Sequence, residues 1–145
     1  MNAVNSYKIA LSMKPFGKAR PRCRGKTPPY MPAEYKQKVK DVQSQVNLSE
    51  VPDGPVVVFI HIYDPLPKSW SVAKKDLARG KLCPRKPDID NVAGAILDAI
   101  FPESSGGDSR VVGLIVYRYW SDEPKMSINI LKLGENEYYD DKNSL

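Results

Sequence analysis

The chain has 145 residues, with 22 Lys or Arg against 17 Asp or Glu, for a net charge of +5. At 41% hydrophobic and 27% charged it reads as one globular domain, with no apolar run near the roughly 20 residues of a spanning helix and no secretory-signal pattern, so a cytoplasmic, non-membrane protein is expected. Two cysteines and one histidine cannot furnish a four-ligand zinc site, and His61 in an apolar run reads as a packing residue, so carboxylates are the expected chemistry of any catalytic site.

The spacing predicts a strand over 6–13. A basic loop follows, KPFGKARPRCRGK over 14–26, in which six of thirteen residues are cationic and Pro15, Gly17, Pro21 and Gly25 oppose a helix. A helix over 33–46 opens after Pro32, with Tyr35, Val39, Val42 and Val46 at helical spacing. A strand over 56–63 is continuously apolar, which predicts a central position covered on both faces. A short helix over 71–78 precedes the clearest one, 88–101, whose apolar face is Ile89, Val92, Ala93, Ile96, Leu97 and Ile100. Strands over 111–119 and 125–133, joined by a turn at 121–124, predict a hairpin. The reading is an α+β fold: a single domain over 1–134, with a mixed sheet of about four strands and helices packed against it, then an acidic tail over 135–145. Trp70 and Trp120 read as packing residues rather than base contacts.

Charge is unevenly spread. The first 40 residues carry ten cations against Glu34 alone, and the remaining 105 are net −4. Lys14, Lys18, Arg20, Arg22 and Arg24, with Lys74 and Lys75 further on, are therefore the expected contacts to a nucleic-acid backbone, since arginine forks fit phosphate oxygens. In Lys86–Asp98, KPDIDNVAGAILD, Asp88 and Asp90 sit where a proline-led loop becomes a helix, and Asp108 precedes a strand. Three such carboxylates can converge on Mg²⁺, a hard cation that lowers the pKa of a bound water and offsets phosphate charge. Ordinary helix capping is the competing explanation for Asp88 and Asp90. An EF-hand loop beginning at Asp88 fails, because Ala93 and Ala99 stand where Gly and Glu are required. Asn91, Asp98 and Lys86 are candidates for support around the carboxylates.

The ordered set of segments resembles the RusA family of Holliday-junction resolvases, common in phages and prophages. It runs through Lys14-Pro15, Lys18-Ala19-Arg20-Pro21-Arg22, Tyr30-Met31-Pro32, Pro65 to Ser71, Lys86-Pro87-Asp88-Ile89-Asp90-Asn91 with Leu97 to Ile100, and Asp108 to Val112. The resemblance implies a homodimeric endodeoxyribonuclease acting on four-way DNA junctions in recombination and repair. It implies Mg²⁺ as cofactor, with Mn²⁺ substituting, and Asp88, Asp90 and Asp108 as catalytic metal ligands. Two positions depart from the family pattern: Gly94 stands for its lysine one turn after the second aspartate, and Gly107 for the first of two loop acids. The glycine at 94 keeps a second class open, a structure-selective DNA-binding protein with little or no nuclease activity. An RNA-binding module is a weaker third reading.

Overall fold

A computed structural model of the chain describes residues 5–23 and 25–141. In chain order it contains β1 (Ser6–Leu11), α1 (Ala33–Ser44), β2 (Val56–Pro65), α2 (Val72–Ala78), α3 (Ile89–Ile100), β3 (Val111–Ser121) and β4 (Lys125–Lys132). Short 3-10 turns lie at Leu48–Glu50, Glu103–Ser105 and Asp108–Arg110. The sheet order is β1-β4-β2-β3, with β4 antiparallel to both β1 and β2 and β3 parallel to β2 at one edge. The architecture is the expected α+β domain with a four-stranded mixed sheet.

Register explains the core. Ile60 lies opposite Ile128, Val58 opposite Ile130, Ile62 opposite Met126, and Ile9 and Leu11 opposite Ile128 and Met126, so one face of the sheet is a continuous aliphatic layer. Val92, Ala95, Ile96, Ala99 and Ile100 of α3 are buried in the same core, as are Tyr35 and Val42 of α1. Each buried aliphatic of this kind stabilises the fold by about 1.5–3 kcal/mol, so this layer is its main source of stability. Ser71 caps α2, its Oγ accepting from the Lys74 N–H at 3.2 Å. Pro102 follows α3 closely and disfavours helical geometry at Phe101.

Two expectations are corrected. Strands β3 and β4 do not form a hairpin, because β2 lies between them. β2 ends at Pro65, where the Leu66 N–H donates to the Ser121 carbonyl at 2.9 Å, and the turn after Ser121 passes over that end. The crossing spans two strand spacings, about 10 Å, within reach of the few residues that make it. Second, β2 is central but only one of its faces is buried: Val56, Val58, Ile60 and Ile62 are, whereas Val57, Phe59, His61 and Tyr63 are half-buried. The apolar run reflects a layer of side chains packed on one another across this open face. His61 meets Tyr117 and Tyr119 edge-on at 6.4 and 5.9 Å, and Tyr63 stacks on Tyr119 at 5.5 Å. His61 is thus a packing residue, as expected.

Candidate active site

Helix α3 starts at the end of the extended run from Cys83 to Pro87. Asp88 is its N-cap by backbone geometry, with its carbonyl accepting from the Val92 N–H at 3.1 Å. Its carboxylate makes no capping bond, and instead Lys86 Nζ donates to Oδ1 at 2.6 Å. Asp90 follows in the first turn, exposed. Capping therefore does not account for the Asp88 side chain. The Lys86 ammonium is held above its ordinary pKa, first by the hydrogen bond to Asp88 and then by the charges of Asp88 and Asp90.

Gly17 brings the basic segment onto this helix start. A Cβ there would stand 3.0 Å from the Pro87 side chain, a tighter approach than nearly all side chains make, so glycine lets the loop lie against Pro87 and Asn91 without displacing the ring. The Lys18 N–H then donates to the Asn91 backbone carbonyl at 3.0 Å. Phe16 anchors the loop in the core, edge-on to Tyr35 at 6.1 Å. The Lys18 stem crosses α3 over Gly94, its Cδ 3.3 Å from where a Cβ would be, and its Nζ pairs with Asp98 at 3.3 Å. Tyr35 donates to Asp98 Oδ2 at 3.0 Å, and burial followed by this carboxylate pushes its phenol pKa well up. Asp98 thus ties the basic segment and α1 to α3.

The approach to Asp88 is held from below by a residue the sequence reading missed. Arg118 of β3 is buried and ion-paired to buried Asp64 of β2, and its guanidinium also donates to the carbonyls of Arg85 and Pro87. Cys83 lies against Asp64 at 3.7 Å, and burial, with the Asp64 charge next, pushes its thiol up to about 11. An arginine inside an apolar strand, and an aspartate closing another, were the signals of this pair. Above it a cavity of about 480 Å³ is bounded by Cys83, Arg85, Lys86, Asp88, Ile89 and Arg118.

The remaining candidates fall in separate places. Asp108 opens the 3-10 turn that leads into β3, beyond the far end of α3. Twelve helical residues, about 18 Å, separate the two ends of α3, and Asp88 lies beside Arg118, seven strand residues or about 23 Å along β3 from Val111. Asp88 and Asp90 are brought together; Asp108 does not join them within one chain. Among the described residues no three His, Cys, Asp or Glu side chains gather as a metal group. Arg20 and Arg22 are exposed, and backbone bonds between Arg22 and Tyr30 close the segment into a narrow loop. Arg24 lies outside the described residues, as do 142–145 of the tail. Lys14 and Lys75 line one groove of about 660 Å³ with Lys68 and Arg85, two cations the sequence reading had not singled out, and Asp122 and Glu123 also line it. Lys74 sits 4.3 Å over the Trp70 ring, and Trp70 packs on Trp120 at 4.9 Å, so both tryptophans are packed against one another.

No helix among the described residues is long and apolar enough to cross a membrane. Residues 12–131 match RusA, the family described as Endodeoxyribonuclease RusA. The uncharacterized protein YqaN of Bacillus subtilis (strain 168) is 35% identical over 141 residues, a match covering 90% of this chain and 99% of YqaN. With a carboxylate pair at the start of α3, cations laid beside it and a family match over most of its length, the chain belongs to the RusA endodeoxyribonuclease family.

Proposed function

We propose that the protein is a metal-dependent endodeoxyribonuclease that acts as a homodimer on four-way DNA junctions in recombination and repair. The observation that carries this is the exposed pair Asp88 and Asp90, whose first member is free of capping duty, next to cations that Gly17 allows to lie against the same helix turn. Mg²⁺ is commonly bound through one or two carboxylates plus substrate phosphates, so the donors at this turn fit it, with Mn²⁺ as a substitute. When bound, such an ion acidifies water and offsets charge developing on the phosphate.

The chain's own residues orient the substrate. Lys14, Lys18, Arg20, Arg22 and Arg24, with Lys74 and Lys75, hold junction backbones, and Lys68 and Arg85 extend that surface along the groove they share with Lys14 and Lys75. The Lys18 stem lies across Gly94 and carries its ammonium to Asp98, one turn further along α3. Arg118 fixes the carbonyls of the Asp88 approach, so the carboxylate pair is presented on a rigid turn.

The test is cleavage of a labelled four-way junction with Mg²⁺, with Mn²⁺ and with EDTA, beside the Asp90→Asn variant. Paired cuts that need metal and disappear in the variant, with junction binding retained, are the expected result. Gly94 favours a second reading, a junction-binding protein without cleavage. Binding with no cut in either metal would select it and overturn the first.

A further inference from the structure

Helices α1 and α3 share one core with the aliphatic layer of Val58, Ile60 and Ile62, on one face of the sheet. The side chains that alternate with that layer form the opposite face, and its centre is aromatic. Register sets Phe59 beside Ile115, His61 beside Tyr117 and Tyr63 beside Tyr119. Successive rows are two residues, or about 6.6 Å, apart along the strands.

The three tyrosines form a run of near-parallel rings. Tyr63 and Tyr119 are 5.5 Å apart at their centroids and inclined by 23°, and Tyr119 and Tyr117 are 6.3 Å apart and inclined by 26°. One end of the run is closed, with Lys125 Nζ 4.9 Å over the Tyr63 ring. The other end is open. The next residue on the same side of β3 beyond Tyr117 is Ile115, and the two are 48% and 44% exposed.

Charge on this face has one sign. From Ile115 and Phe59 the same row continues to Asn129 of β4 and Lys8 of β1, three strand spacings or about 14 Å in all. Lys8 is exposed, and no strand position on this face carries a carboxylate. Asp122 and Glu123 lie in the turn beyond the Lys125 row, and Asp122 is paired with Arg79 at 2.9 Å. In the middle of the row, Asn129 Oδ1 is buried and has no hydrogen-bond donor, an acceptor that the protein itself leaves unmet.

We propose that this helix-free face binds single-stranded DNA. One base stacks on the open end of the ring run, on Tyr117 and above Ile115. The next lies over Phe59, and the backbone passes towards Lys8. Every base has a π-face, so an aromatic platform with cations at its margins holds a strand with little regard to sequence. The same argument selects an unpaired strand, because a duplex keeps its base faces within its own stack. The deoxy form follows from the chain's membership of an endodeoxyribonuclease family. A second copy of the chain fits less well, since it would bring two more cations and no acid to meet them. The carboxylate pair at the start of α3 belongs to the helix-covered side, so this surface is separate from the proposed cleavage site and does not depend on it.

The test is fluorescence anisotropy of a labelled oligothymidylate of about 12 nucleotides, within the length one such platform holds, in the presence of excess unlabelled duplex to occupy the basic groove. Wild-type binding should survive the duplex. Tyr117→Ala, with an unchanged circular dichroism spectrum, should weaken it about tenfold, whereas Tyr117→Phe keeps the ring and should bind as wild type. Lys8→Gln should lower the salt slope by about 0.7, the value for one phosphate contact on a single strand. Equal binding by Tyr117→Ala and wild type overturns the proposal, as does an oligouridylate that binds more tightly than the DNA. In a wild-type chain, an oligonucleotide carrying 5-iododeoxyuridine should photocross-link to Tyr117 or Phe59; cross-links confined to residues 14–26 overturn the proposal without any variant. Sedimentation without DNA gives a further check. If Tyr117→Glu dissociates a wild-type oligomer, a second copy covers this face and the proposal falls. Metal-dependent junction cleavage by Tyr117→Ala should match wild type, and its loss would place Tyr117 in the cleavage machinery instead. A chain that binds the oligonucleotide through Tyr117 yet never cuts a junction leaves this proposal standing while the nuclease reading fails.

Discussion

Gly17 and Gly94 place the basic segment by what they lack. At Gly17 the missing Cβ allows contact with Pro87, and at Gly94 it leaves a track for the Lys18 stem. The two sites differ in how they would answer substitution. Pro87 is a rigid ring beside a fixed turn, whereas Lys18 Cδ belongs to a flexible chain that can move by the few tenths of an ångström required. Alanine in a helix interior is favoured over glycine by about 1 kcal/mol, so Gly94→Ala is expected to stabilise the protein by up to about that amount in guanidinium unfolding. A loss of stability instead would mean that the Lys18–Asp98 pair pins the stem. Side-chain chemistry at this scale was partly readable. The spacing of Asp88 and Asp90 and the density of cations after Lys14 are properties of the string itself. Arg118 was not, because its importance comes from meeting Asp64 across a parallel strand pair, 54 residues away in sequence.

Elements were readable where a period is repeated, and their partners were not. The helical spacing over 88–101 and the alternation over 6–13 reproduce α3 and β1 with only their ends trimmed. The hairpin failed because a three-residue turn specifies that two strands are close, not that they are neighbours; the end of β2 at Pro65 leaves room for the turn to cross. Strand β3 depends on the Asp64–Arg118 pair for more than its own stability. The same guanidinium holds the carbonyls of Arg85 and Pro87, so it couples β2, β3 and the start of α3. Leaving one member of a buried ion pair alone costs about 3–5 kcal/mol, and Arg118→Met should lose that much in chemical denaturation. Replacing both charges, Asp64→Leu with Arg118→Met, should recover most of it, because the desolvation cost of the pair disappears with it. A double variant no more stable than the single would show that the carbonyl contacts, not the carboxylate, are what matters.

The whole molecule is electrostatically lopsided. Cations of the N-terminal segment and of α2 meet across the groove shared by Lys14, Lys68, Lys75 and Arg85, while the rest of the chain is net acidic. Contacts of this kind release counterions, so junction affinity should fall by on the order of 10³ or more between 50 and 200 mM salt if six or more phosphates are held. Fluorescence anisotropy against salt measures this, and Lys14→Ala or Lys75→Ala should each lower the slope by about one unit. A slope that these variants leave unchanged would remove the groove from the DNA path.

The strand order also has a consequence for how the molecule comes into being. β4 is the last strand made, yet it sits between β1 and β2, with Ser6 opposite Leu131 at the seam. Until residue 132 is available, β1 has nothing to pair with and the aliphatic layer cannot close. The contacts that define the sheet span nearly the full length of the chain, which places this fold among those of high contact order and slow formation. On the ribosome, the N-terminal cations therefore emerge long before the structure that will hold them, and the protein acquires its active form in one late step rather than piece by piece.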